Sequence, residues 1–337
     1  MIDISKFGSA IVNPYKGNVG ATDFCNVIFD PAVGSKVLHV RKFQTLVQAL
    51  GYFKYVQCTS VTHNYQIFFR GQEKAYGKSF QPALYRKCSQ PGTIMDRNGL
   101  LNRQISLVRE TEARFEKTDD SVVEGVLQQY GMRTRWIDAV DNIWIALWFA
   151  CHHAWTWNDA SSSYVHYALR SPKHEGDGQS YAYIYVLGFN KGYKAKAEKV
   201  RRSFIPGLTW GPEAEMLDLR YAVTSLMLRP HAQHGVLLRS YHHNSDGSIG
   251  YDVDMSGLIQ GVVRIDLEDA LEWLGHSTSL EVSSMFPPPA YDSCYRELIS
   301  TERMMREQLL GKKIKPKSYR KAFVVKEGDI LCVQRVG

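Results

Sequence analysis

The amino-acid sequence predicts an α+β protein: a mixed β core with packed helices and an appendage at each end. Three observations carry this. Phe43, Leu46, Val47, Leu50 and Phe53 recur at the i, i+3, i+4, i+7 spacing of one buried helical face. Ile67-Phe68-Phe69 before Gly71, and the alternating aromatic stretch from Tyr181 to Leu187, have the length of buried strands. Asn142 to Ala154, with Trp144, Leu147, Trp148 and Cys151, reads as a buried helix.

In chain order, residues 1–35 are rich in Gly, Asn, Asp and Pro and read as an irregular segment. The Phe43 helix follows, ending at Gly51 or just after Phe53 and packing beneath a strand from Tyr65 to Arg70. Arg70 then sits where that strand leaves the core. Glu110 to Phe115 and Ser121 to Tyr130 read as helical, ahead of the Asn142 helix. Val236 to Ser240 and Gly261 to Leu267 read as strands, Glu268 to Leu274 as a helix, Phe286-Pro287-Pro288-Pro289 as a rigid turn and Glu297 to Leu310 as a helix. The expected division is a main domain over 36–295, an amino-terminal segment over 1–35 and a carboxy-terminal helix with a basic arm or β element over 296–337.

A chain of 337 residues, 44% hydrophobic and 22% charged, has the composition of a folded globular protein. Met1 to Ala10 lacks the basic start and apolar core of a secretory signal, and no apolar run reaches membrane-spanning length. The six cysteines are scattered singly, which suits reduced thiols, so a cytoplasmic location without membrane contact is expected. Lys and Arg outnumber Asp and Glu 41 to 34, a net charge of +7. Lys191, Lys194, Lys196, Lys199, Arg201 and Arg202 face only Glu198, and Lys312 to Lys321 holds six basic residues and no acidic one. Each run is either a contact for nucleic-acid phosphates, with RNA favoured, or a solvated segment.

Several chemistries lack their motif. The segment from Gly71 to Ser79 has five residues between its glycines where a phosphate loop needs four, and Pro82 would break the helix that must follow. There is no Gly-x-Ser-x-Gly, Gly-x-Gly-x-x-Gly or His-Glu-x-x-His. Adjacent histidines such as His152-His153 and His242-His243 point apart on a helix or strand, so no metal site is expected.

Three islands combine polar residues with sharp backbone features. They are Phe69-Arg70-Gly71-Gln72, followed by Gln81 to Arg86; Leu127 to Asp138, with Gln128-Gln129-Tyr130-Gly131 and Thr134-Arg135; and Leu228 to Leu237, with Gln233-His234-Gly235. In this order and at these distances they resemble the FRG domain, named for its Phe-Arg-Gly signature, over about Val40 to Ala290. The first island is also similar to the Arg-Gly at the end of a core strand in Arg-type ADP-ribosyltransferases, which implies an ADP-ribosyltransferase-like core and NAD+ as co-substrate.

The resemblance implies a toxin-like ADP-ribosyltransferase of a toxin–antitoxin or antiphage defence module, with an antitoxin protein as a further partner. Arg70, Gly71, Gln72, Tyr85, Arg86, Gln129, Arg135 and Asp138 would contact NAD+, and Tyr130, Thr134 and Gln233 would join Arg70 in catalysis. The guanidinium fork of Arg70 suits phosphate oxygens, and Gly71 would let a ligand approach the backbone. Alternatively Arg70 pairs with Asp138 or a glutamate, Arg135 and Asp138 form an internal salt bridge, and Gln233 satisfies the core. Gln233 to Leu238 also departs from the transferases' Glu-x-Glu-Val-Leu strand, because both glutamates are absent. Glu110, Glu112, Glu213 and Glu215 are candidate substitutes. A nucleic-acid or nucleotide sensor without chemistry, a protein-directed transferase and a nuclease are the competing readings.

Overall fold

The computed structural model describes residues 25–59, 65–75, 79–86, 90–158, 163–172, 180–192, 204–275 and 280–298. Its elements begin with the strands β1 (Cys25–Asp30) and β2 (Ser35–Val40), the helix α1 (Phe43–Thr59), β3 (Tyr65–Gln72), α2 (Pro91–Thr111) and α3 (Asp120–Gln129). Next come β4 (Ile137–Val140), α4 (Ile143–Cys151), the hairpin β5 (His152–Asn158) and β6 (Ser163–Leu169), then β7 (Tyr181–Asn190), β8 (Leu208–Trp210) and β9 (Ala214–Asp218). Two short helices, α5 (Leu219–Ala222) and α6 (Leu228–Ala232), lead into β10 (Gly235–His243), β11 (Ile249–Tyr251), β12 (Ile259–Asp266), α7 (Leu267–Leu274) and α8 (Val282–Met285).

Among the described residues ten strands form one sheet in the order β1-β2-β12-β7-β3-β4-β10-β9-β8, with β11 added on β10. Every pairing in it is antiparallel except β2 with β12. Strand alternation splits the apolar residues between two faces. Ile67, Phe69, Ile184 and Val186 meet α1, α4 and α7 in one core, whereas Phe68, Tyr185, Leu187 and Leu238 form a second. A third core gathers α2 and α3 over Leu217 and Leu237.

The expected α+β class matches this mixed fold with its large, mostly antiparallel sheet. Its boundaries need correction in several places. The described part of the segment expected to be irregular contains β1, hydrogen-bonded to β2 over its whole length. Gly51 does not end α1: it lies on the exposed side, where an added Cβ would meet nothing within 4 Å, and the helix continues to Thr59. Leu46, Leu50 and Phe53 are buried as the spacing requires, while Val47 is 44% exposed.

Helix α4 starts where Asn142 caps it by accepting a hydrogen bond from the Trp144 N–H. It stops at Cys151, three residues short of the expected end, because His152 to Asn158 pair with β6 and the Arg170 N–H takes the Cys151 carbonyl. The 21-residue α2 was not expected; the helix read at Glu110 to Phe115 is its end plus a 3-10 turn at Ala113–Phe115. A final helical stretch begins at residue 293, four residues before the expected start.

Candidate functional site

Strands β3 and β4 share one residue pair, Phe69 opposite Val140. Beyond it they part, and a cavity of about 220 Å³ opens between Arg70 and Gly71 on one side and Asp138 and Ala139 on the other. Asp138 shares a face with Val140, which belongs to the α1–α4 core, and lies opposite Leu237, which belongs to the α2–α3 core. The carboxylate therefore stands at the seam between two apolar clusters.

The end of α3 supplies the next wall. Gly131 adopts φ 94°, the left-handed conformation that closes a helix. Its N–H donates to Gln128 O at 3.1 Å and the Met132 N–H to Leu127 O at 3.0 Å, a Schellman closure that brings Gln128, Gln129 and Tyr130 to the cavity. Gln128 Nε2 donates to Asp138 Oδ2 at 2.7 Å and Gln129 Nε2 to Oδ1 at 3.3 Å. Arg70 Nη1 donates to the Asp138 carbonyl at 2.7 Å and lies 3.5 Å from Oδ2. The Thr134 hydroxyl donates to Gln128 Oε1, so the amide nitrogen of Gln128 must face Asp138.

The far wall comes from later in the chain. Arg229, on α6, is buried with its guanidinium 3.8 Å from the ring centre of Tyr295, 5.1 Å from Tyr130 and 5.5 Å from Phe286. Tyr130 stacks on Tyr295 at 5.4 Å and donates its hydroxyl to Asp292 Oδ2 at 2.6 Å. Burial and the Asp292 carboxylate push the Tyr130 phenol far above its usual range, so it stays protonated. Asp292 also accepts from the N–H groups of Leu228, Arg229 and Tyr295 and so pins the carboxy-terminal wall. Phe149 and Tyr167 complete the apolar lining; burial pushes the Tyr167 phenol up to about 12.

Six of the expected site residues meet here: Arg70, Gly71, Gln129, Tyr130, Asp138 and Gln233. Their roles differ from expectation in part. A Cβ on Gly71 would lie 1.7 Å from Ala146 O, so this glycine admits the backbone of α4 rather than a ligand. One face of Tyr130 is covered by Tyr295, and Gln233 spends its Nε2 on the Met285 carbonyl at 2.7 Å. Thr134 is fully buried behind Gln128.

Four others lie outside the lining. Gln72 is buried, Tyr85 donates to Asn98 Oδ1 at 2.8 Å, and Arg86 is exposed with its Nε on Gln81 O at 3.4 Å. Arg135 does not brace Asp138. Its guanidinium engages Glu124, which also receives Arg239, and Arg239 pairs in turn with Glu215 at 2.7 Å. None of Glu110, Glu112, Glu213 and Glu215 lines the cavity. Lys191 is exposed, and Lys194, Lys196, Lys199, Arg201 and Arg202 fall outside the described residues, as does the run from Lys312.

Gln128 lay in the second island without an assigned role, and sequence reasoning missed Arg229, Phe286 and Tyr295 as parts of this site. Arg229 was visible inside the third island, but its neighbours come from segments 100 residues apart, as in its 3.3 Å hydrogen bond to Gln129 O. Among the described residues no group of three His, Cys, Asp or Glu side chains is placed to hold a metal ion. No described helix is long and apolar enough to cross a membrane.

Residues 65–158 match the family model of the FRG domain, which supports the FRG family. The match spans β3 to β5, so it takes in Arg70, the turn after α3 and Asp138, and it ends before Arg229 and Gln233. No curated protein and no solved structure matches the chain.

Proposed function

We propose that this pocket binds NAD+ and transfers ADP-ribose to a macromolecule, RNA first among the acceptors, as the toxin of a toxin–antitoxin or antiphage defence module. One observation carries the reading: Asp138 is the acidic side chain of the cavity lining, and two amides and a guanidinium fix it in place. Fitness for NAD+ rests on the guanidinium groups of Arg70 and Arg229 and the aromatic faces that line the cavity with it. A planar guanidinium matches phosphate oxygens, and aromatic walls suit a flat base.

Bound NAD+ supplies the ADP-ribosyl group: the bond from ribose C1′ to nicotinamide breaks with its electron pair on nicotinamide, and an acceptor nucleophile bonds C1′ and releases its proton. Asp138 would stabilise the positive charge that develops on the ribose, the role transferases give to the glutamate missing here. Gln128 and Gln129 hold that carboxylate in position, and Thr134 fixes the orientation of Gln128. Arg70 would hold phosphate. The net charge of +7 favours a polyanionic acceptor.

A second reading, a nucleotide sensor without chemistry, is favoured by Gln233, whose amide is committed to the Met285 carbonyl at the position where transferases carry a glutamate. The experiment that separates them incubates the full chain with labelled NAD+ and separate pools of RNA, DNA and protein, beside Asp138→Asn and Arg70→Ala. Label entering RNA and lost in both folded variants is the expected result. Saturable NAD+ binding with no label in any pool would replace transfer with sensing.

A further inference from the structure

We infer that Arg229 forms a second phosphate-binding point in this cavity, one that takes the pyrophosphate of a nucleoside diphosphate. Burying a cation is costly. A guanidinium removed from water needs either a carboxylate or a full set of acceptors. Arg229 is 8% exposed, yet among the described residues it forms no ion pair. Among these residues its acceptor is one carbonyl, Gln129 O at 3.3 Å, and its buried Nε has none.

Its surroundings are aromatic rather than acidic. The guanidinium carbon lies over the rings of Tyr295, Tyr130 and Phe286, which attract its charge but accept none of its in-plane hydrogen bonds. The nearby Asp292 is occupied by Tyr130 and three backbone N–H groups. Arg70 repeats the pattern across the cavity: its Nη1 is used by Asp138 and its Nε is buried and unpartnered. Arg70 and Arg229 thus both line one cavity, each has an unpartnered Nε buried behind its surface, and among the described residues the lining carries a single carboxylate. Arginine at buried, stacked positions reads anionic oxygens by its fork of N–H groups.

The ligand class follows from these donors. Two separate guanidinium groups call for two anionic centres, and the aromatic walls accept an attached base. A nucleoside diphosphate has both; a lone carboxylate has neither. This inference needs the cavity to be a ligand site but does not need transfer chemistry, so it stands or falls separately from the proposed reaction.

The test uses the full chain with ADP, inorganic pyrophosphate and uncharged adenosine as probes. Titration calorimetry is expected to detect ADP and pyrophosphate and to find adenosine much weaker. Arg229→Lys, which keeps charge but loses the fork, and Arg229→Met should weaken ADP roughly ten- to a hundredfold, the worth of one charge-assisted hydrogen bond. Because a change at a buried residue can disturb folding, the wild-type protein is also read directly. The Arg229 Nε–H resonance, assigned by its absence in Arg229→Lys, should shift on adding pyrophosphate and stay still with adenosine. No binding of ADP or pyrophosphate to wild type, an unmoved resonance, or equal ADP affinity in a folded Arg229→Met would each overturn the inference. If ADP binding passes and NAD+ yields no transfer, the phosphate site stands and the transferase fails.

Discussion

Arg239 and Arg229 are both buried, both lie against aromatic rings, and are solved in opposite ways. Arg239 is 1% exposed, its Nε donates to Glu215 at 2.7 Å, its Nη1 to Glu124 at 2.9 Å and its Nη2 to Ser121 Oγ at 2.9 Å, with Trp136 and Tyr251 rings 3.9 Å away. Arg229 has aromatic rings, one carbonyl and an idle Nε. The first is a closed structural joint. The second lines a cavity and has fewer acceptors than donors among the described residues. Chemical type alone does not separate a structural arginine from a ligand-binding one; the partner set does.

The sharpest way to break that contrast is Glu124→Gln. Glu124 is fully buried and serves Arg135 and Arg239 together, so its neutralisation takes the carboxylate from Arg135 and leaves Arg239 with Glu215 alone. Urea unfolding should register a loss of about 3 to 5 kcal/mol. The same residue gives a pH signature. Burial pushes its carboxyl up, but the charges of Arg239 and Arg135 and their hydrogen bonds outweigh this and hold it below its reference value of 4.5. A carboxyl lowered on folding stabilises the protein above its unfolded value, and this stability is lost as pH falls through the folded one. Wild type should therefore lose stability as pH drops below 4.5, and Glu124→Gln should follow a flatter curve over that interval.

Arg229→Met is expected to cost less, about 1 to 2 kcal/mol, since it removes ring stacking and one hydrogen bond but strands no buried partner charge. A loss as large as that of Glu124→Gln would erase the distinction drawn between the two arginines. The smallest effect belongs to Thr134→Val. Removing one hydroxyl that donates to Gln128 should cost about 1 kcal/mol in unfolding experiments. It should also lower transfer to RNA by freeing the Gln128 amide to turn away from Asp138. Thr134→Ser restores the donor and should recover both quantities; failure to recover transfer would show that the hydroxyl does not act through Gln128.

Legibility in the sequence followed the strength of local patterning. α1, β3, β7, β10 and β12 carry apolar runs or a repeated face, and each was readable near its true place. α2 was not, because its buried face is reduced to Leu101, Ile105 and Val108 among polar residues, with Gly92 and Gly99 in its length. β4 is four residues long and buried against neighbours from distant segments, so it has no local signature. At the site, Arg70, Tyr130 and Asp138 stood in motif-like islands. The partnership of Arg135 with Glu124 rather than Asp138, and the gathering of Tyr295 and Phe286 around Arg229, depend on how α3, α6 and the carboxy-terminal wall pack. Gly71 was readable as a glycine that matters, but the reason is the backbone of α4 pressed against it.

The most direct test of the central claim, that the cavity between β3 and β4 is an NAD+ site, is a crystal structure of the full chain grown at saturating NAD+. The prediction is a ligand with pyrophosphate oxygens within hydrogen-bonding distance of Arg70 and Arg229 and a ribose beside Asp138. A cavity holding only water at that concentration, or a ligand bound elsewhere on the molecule, would contradict it.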